Sequence, residues 1–237
     1  MKALVLLLVL SCQSIAHLSS QPCYKGFRSQ DIIFHTTLVR EINFLDIGNQ
    51  QIFGSNTVNL VLLNAFREGE IKGYASVSKN DSLSWNQFLE KIQIFGSDTL
   101  SHIALKELTM AELTEDLIFD KQRSDYFMIP NNICILLPAN ANPRGIQEQL
   151  IYFKYADCER IFTKSPMAIS LNPLQDGRDI NYKEIFLLRL FNSTIVKGGN
   201  ENSLYFDQQS HSPIASFMAA KHYENKLTER IYRFFNP

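Results

Sequence analysis

The sequence predicts an α+β fold, one domain in which helices pack a central, mostly antiparallel sheet and the C-terminus is helical. Three observations predict it. Apolar residues recur at helical spacing over 57–67, over 84–95 and again after Ser212. The middle of the chain carries short apolar runs punctuated by turn residues, the pattern of strands. Finally, residues 181–199, NYKEIFLLRLFNSTIVKGG, read as a helix that is apolar on nearly every side and must be buried on most faces.

That last segment organises the rest. Asn181 is an N-cap residue, and Glu184 three positions on can reach back to the cap N–H. Gly198 and Gly199 provide the stop, with Lys197 near the negative end of the helix dipole. Its charged groups are too few and too mixed to form a chemical site.

The remaining elements follow in order. Residues 17–30 are a polar, irregular lead-in. In 32–43 the apolar residues recur at mixed spacing, so helix and strand both stand. Residues 46–56 read as a loop. The helix at 57–67 is capped by Asn56 and ended by Gly69. A short strand is expected at 70–78, then the Trp85-bearing helix at 84–95. Leu117, Ile118 and Phe119 open a strand. The run 126–137 reads as a strand broken at Pro130, because proline donates nothing to a ladder. Another strand is expected at 150–155 and a loop at 170–180. In the last helix Ser212 caps, Pro213 starts, and Ile214, Phe217, Met218, Leu227, Ile231 and Phe234 form the apolar side.

The chain has 237 residues with a formal net charge of -1, and its acids and bases interleave. That charge pattern excludes a nucleic-acid footprint, which needs a basic stripe. The start, Met1-Lys2 followed by the apolar run 3–10, is a secretory signal peptide too short to span a bilayer. Two processing positions are open. Ser14 and Ala16 form a small-x-small site that would leave His17 first, so 1–16 is the signal and 31–237 the folded domain. Alternatively, residues 9–12 form a loose lipobox that would acylate Cys12. No other stretch is long and apolar enough for a membrane span. In an oxidising compartment Cys134 and Cys158 are the plausible disulfide pair, the alternative being two buried thiols.

Chemistry is sparse. There is no G-x-S-x-G elbow, Walker loop or H-E-x-x-H, and no histidine has metal-ligand spacing. No metal or cofactor is expected. Glu112, Glu115, Asp116 and Asp120 cluster ahead of a strand. They read as a solvated acidic turn; the enzymatic alternative is a secreted hydrolase using two of them as acid and base. The triplets at 81–83 and 98–100 have the form of a Bacteroidetes O-glycosylation signal.

The order of segments resembles the GldN/PorN family of gliding motility and type IX secretion. The strongest match is Phe119-Asp120-Lys121-Gln122-Arg123-Ser124, the family's FDKQRS segment. Phe186, Arg189, Phe191, Ser193, Ile195 and Lys197 resemble its F-x-x-R-x-F-x-S-x-I-x-K helix. Val39-Arg40-Glu41, the 57–68 helix with its Gly69-Glu70-Ile71 exit, and the 150–155 strand before a short helix near Glu159 fit the same order. The resemblance spans roughly residues 30–235. It implies a non-enzymatic periplasmic component that binds a GldK/PorK-like outer-membrane lipoprotein. The two would form a ring under the outer membrane, coupled to the inner-membrane motor pair GldL and GldM. It also favours cleavage after Ala16, since the lipid anchor then belongs to the partner. A lipid-anchored binding module through Cys12 is the remaining alternative.

Overall fold

The computed structural model describes residues 26–53, 58–78, 81–94, 101–172, 178–199, 203–209 and 212–235. Three long strands form the middle of one sheet: β1 (Ile32–Asn43), β6 (Met110–Asp120) and β7 (Asp125–Leu137). Shorter strands extend it: β2 (Gly73–Tyr74), β3 (Ser82–Leu83), β8 (Glu148–Lys154) and β11 (Thr194–Gly199). The order is β11-β1-β6-β7-β8-β2-β3, and every pairing is antiparallel. Two small ribbons stand apart, β4 (Gln93–Ile94) with β5 (Ser101–His102), and β9 (Ile169–Leu171) with β10 (Asp179–Asn181). The helices are α1 (Ile47–Phe53), α2 (Val58–Arg67), α3 (Trp85–Lys91), α4 (Tyr155–Lys164), α5 (Tyr182–Leu188), α6 (Phe206–Gln209) and α7 (Pro213–Phe235). The predicted α+β class and C-terminal helix are what the chain forms.

The ambiguous 32–43 run is a strand. Its β-branched residues suit a pleated surface, and β1 pairs with β6 from Phe34 to Asn43 without a register break. The helix α2 ends as expected. Gly69 adopts φ 77°, its N–H bonds Phe66 O at 3.1 Å, and Glu70 N–H bonds Ala65 O at 2.8 Å. That is a Schellman stop, and it needs a residue at ease with positive φ. The cap expected at Asn56 lies outside the described residues. Ser84 and Gln87 form a reciprocal capping box that starts α3. The helix stops at Lys91 rather than near 95, because Gln93 and Ile94 pair with His102 and Ser101.

Four expectations are corrected. The expected loop at 46–56 contains α1, whose Phe53 packs edge-on against Phe44 and Tyr182. Pro130 does not break β7. The strand runs through it with a register shift opposite Thr114 and Glu115, and Pro130 lies outside the stretch paired with β8. A proline is tolerated at such a bulge. The 181–199 helix is only its first half. Asn181 and Glu184 make the expected capping box, but α5 ends at Leu188 and Arg189 turns left-handed at φ 55°. Residues 194–199 are then a strand, β11, because Thr194, Ile195 and Val196 prefer a ladder and β1 offers one. Leu187 and Leu188, expected inside, are exposed. The 170–180 loop is replaced at both described ends by β9 and β10.

The buried apolar side chains form a main cluster, a smaller one, and a third of Tyr74, Cys134, Leu136 and Tyr152 on β2, β7 and β8. The main cluster packs α2, α3, α4 and α5 on the sheet through Leu62, Phe88, Phe153, Phe162 and Tyr182. The smaller one seats α7 on β1, β6 and β11 through Leu38, Leu117, Ile195, Ala220 and Leu227. At the far end of α7, Phe234 stacks on Phe119 at 4.8 Å. Midway along, the Tyr223 ring lies against the bare backbone of Gly198, where a Cβ would come within 2.2 Å of it.

That contact yields a prediction. Gly198→Ala should lower stability by about 1–3 kcal/mol, the usual cost of overpacking, when read by urea denaturation. Unchanged stability would mean that α7 does not seat on β11 this way.

Candidate functional site

The acidic residues of β6 are the only dense set of charges built into the described core, and they do not form a solvated turn. Glu112, Glu115, Asp116 and Asp120 are all buried on the strand. Glu115 is fully inaccessible. A carboxylate there is tolerable only if paired and hydrogen-bonded. Arg40 Nε donates to Glu115 Oε1 at 2.6 Å, and Arg189 Nη2 donates to Oε2. Arg40 comes from the neighbouring strand. Arg189 comes from the C-cap of α5, where the left-handed turn and the Leu190 N–H to Ile185 O bond re-aim the chain.

Alternation explains why Glu115 points inward. Leu113 and Leu117 sit two positions either side of it, and residues of one parity share a strand face. Leu113 belongs to the main cluster and Leu117 to the smaller one. On β1, Arg40 likewise lies between Ile42 of the main cluster and Leu38 of the smaller one. The ion pairs therefore mark the seam between the two apolar clusters.

The other three acids are engaged too. Asp116 accepts from Thr37 Oγ1 and Asn131 Nδ2, each at 2.7 Å, and faces His35 Nε2 at 3.2 Å. Glu112 accepts from Gln149 at 2.8 Å and from the Tyr205 hydroxyl at 3.1 Å. Burial raises its carboxyl above the ordinary range, with the two hydrogen bonds opposing that rise. Asp120 accepts from the backbone N–H groups of Gln122 at 2.8 Å and Arg123 at 3.2 Å, and pairs with Arg123. Of the four, Asp116 is the one that faces an imidazole.

Asp120 thereby shapes the hairpin that carries the Phe119–Ser124 segment. Lys121, Gln122, Arg123 and Ser124 are its exposed loop, with Ser124 at φ 51°. Phe119 is buried under α7. Arg123 turns back on the entering chain: its guanidinium lies 4.6 Å from the Phe27 ring centroid and bonds Gly26 O at 2.9 Å. Of the second set of motif residues, Phe191 is buried in the main cluster. Ser193 lines a recess with Arg40 and Arg189. Lys197 lies on β11 with its ammonium 5.3 Å from the Tyr205 ring. These residues had been expected on one helix, and the structure divides them between α5, a turn and β11.

The Cys134–Cys158 disulfide is not formed. Both are buried thiols. Cys134 packs with Tyr74, Leu136 and Tyr152, whereas its strand neighbours Ile133 and Ile135 point to the cluster that contains Cys158. The two sulfurs lie on opposite sides of one strand, so no bridge is geometrically available. Burial pushes the Cys134 thiol up, away from the thiolate. Cys12, the processing sites, Thr99, His17 and His211 lie outside the described residues. Ser82 of the other glycosylation triplet is exposed on β3, the terminal strand of the sheet. Among the described residues no group of three metal-ligating side chains is present.

The arrangement defines an α+β protein whose four buried acids on β6 are each bonded within the fold. The chain matches the family described as "Gliding motility associated protein GldN" over residues 27–235, and it belongs to that family. It is therefore a component of the gliding motility and type IX secretion machinery. No curated protein matches it. No described helix is long and apolar enough to cross a membrane.

Two predictions come from the buried acids. Glu115→Gln leaves two arginines facing a neutral amide and should cost about 3–5 kcal/mol of unfolding free energy. A loss under about 1 kcal/mol would contradict the buried pairing. For Glu112, burial lifts the folded carboxyl above its ordinary 4.5. The stability it contributes is full below that value and is lost as pH rises through its folded value. Glu112→Gln cannot ionise, so it should gain stability relative to the parent as pH rises above 4.5. Parallel pH–stability curves would contradict the raised carboxyl.

Proposed function

We propose that this chain is a non-enzymatic, periplasmic structural component of the secretion and gliding apparatus. It binds a GldK/PorK-like outer-membrane lipoprotein, repeats in a ring beneath that membrane, and couples there to the GldL and GldM motor pair. Processing after Ala16 releases it as a mature chain beginning at His17, and residues 31–237 act as one domain. The family membership carries this reading. Two features of the chain support it. The buried acids that a hydrolase would need are each bonded within the fold. The outer surface of α7 leaves Ile214, Phe217, Met218 and Tyr232 exposed, which suits a chain that works through contact.

The test is affinity purification of the tagged chain from native envelopes, followed by identification of what accompanies it and mass measurement of its N-terminus. The expected outcome is stoichiometric recovery of an outer-membrane lipoprotein and a start at His17. A stable interface of this kind buries at least about 1,000 Å², so it should survive detergent extraction. A monomer recovered alone, or an acylated Cys12, would contradict the reading.

A further inference from the structure

A recess of about 710 Å³ lies where β1, β6, β8 and β11 meet α6 and the start of α7. Four carboxylates line it: Glu41, Glu112, Glu148 and Asp207. Among the described residues no lysine, arginine or histidine does. Two cations act at its border. Arg144 pairs with Glu148 at 3.2 Å, and Lys197 holds its ammonium 5.3 Å from the Tyr205 ring. Even with both counted, the acids outnumber the bases.

Strand register concentrates this excess. Glu41 on β1 stands directly opposite Glu112 on β6, a placement in which like charges destabilise each other. Burial raises the Glu112 carboxyl most, and Glu41 adds to the rise. Each acid uses one oxygen only. Glu112 accepts from Gln149 and from the Tyr205 hydroxyl through Oε2, and Glu41 accepts from Gln147 through Oε2. Oε1 of each meets no donor among the described residues. Glu112 is only 5% exposed, yet its Oε1 is not sealed away from the recess. A carboxylate that deep is normally met on both oxygens by donors or by a cation.

Apolar groups supply the larger share of the wall. Leu136, Ile195, Phe206 and Phe217 line it. The exposed Leu204, Ile214 and Met218 adjoin lining residues in the sequence. The open oxygens also select the kind of cation. An arginine fork is matched by both oxygens of one carboxylate, but Oε2 of Glu112 already takes two donors. Single oxygens on two neighbouring acids suit a compact ammonium with three rotatable donors.

We propose that this recess receives one lysine side chain of a protein partner, flanked on that partner by apolar residues. The ammonium donates to Oε1 of Glu112 and of Glu41, and the flanking residues cover Ile214, Phe217 and Met218. The proposal rests on the chain being a binding component but not on which partner it binds, so its test uses defined probes.

The full mature chain is titrated with N-acetyl-Leu-Lys-Leu-amide, with its arginine and glutamine counterparts and with n-butylamine, while the Glu112 carboxyl and Tyr205 ring signals are followed by NMR. The lysine peptide should shift both signals saturably near about 1 mM, the scale of a single small anchor. The arginine peptide should bind about threefold or more weakly, and the glutamine peptide and butylamine at least roughly tenfold more weakly. Glu112→Gln, which removes the charge, and Phe217→Ser, which removes an exposed apolar contact, should each weaken the lysine peptide by about tenfold. Phe217→Ser should do so with an unchanged melting transition. Butylamine binding as tightly as the peptide would reduce the recess to a site for small amines and overturn the proposal. Equal binding of the glutamine peptide, tighter binding of the arginine peptide, or no saturable shift would overturn it as well. So would a self-associated chain that Phe217→Ser converts to monomer, since the occupant would then be a second copy.

Discussion

A single carboxylate with no access to solvent sets the terms for this structure. Glu115 is buried between two apolar clusters and needs two cations to be there at all. One arginine arrives on the adjacent strand, fixed by ladder register. The other has to be brought from a helix more than seventy positions away, and only the left-handed turn at Arg189 brings it. Once Arg189 is placed, α5 can pack its Tyr182, Ile185 and Phe186 into the main cluster and then hand the chain to β11. The seam between the clusters is therefore also the hinge of the topology.

Other buried polar groups follow the same logic at smaller scale. Asp116 draws in a threonine, an asparagine and a histidine from the two flanking strands. Glu112 holds the segment before α6 through the Tyr205 hydroxyl. Asp120 closes the hairpin on its own backbone. Such contacts contribute little net stability when whole and cost much when broken. They select this packing over alternatives more than they deepen it. Among the described residues the acids of β6 are held in these contacts, while Ile214, Phe217 and Met218 of α7 stay exposed.

Much of the fold was legible in the sequence. The glycine stop of α2, the Asn181 box and the Ser212-Pro213 start of α7 are local signals, and local signals survive folding. The second half of 181–199 was not legible as strand, since apolar residues on every side suit a buried helix as well as a ladder, and only the open edge of β1 decides. The buried acids could have been found. Leu113, Glu115, Leu117 and Phe119 share one alternation, which places Glu115 on the core side if the segment is read as a strand. The separation of Cys134 from Cys158 follows from the same period-two rule, but only once β7 and α4 are placed. Arg40 as the partner of Glu115 depends on register across 75 residues, which no short-range pattern encodes. The Phe119–Ser124 segment, found by resemblance alone, has a physical account in the Asp120 turn and the Arg123 clamp.

The most direct test of the account is the coupling between Arg40 and Arg189, which meet only through Glu115. Unfolding free energies of Arg40→Met, Arg189→Met and the double variant give that coupling. Non-additivity of at least about 1 kcal/mol is expected, because both arginines answer one buried charge. Additivity within about 0.3–0.5 kcal/mol would show two independent sites and would contradict the shared carboxylate on which the structure is argued to depend.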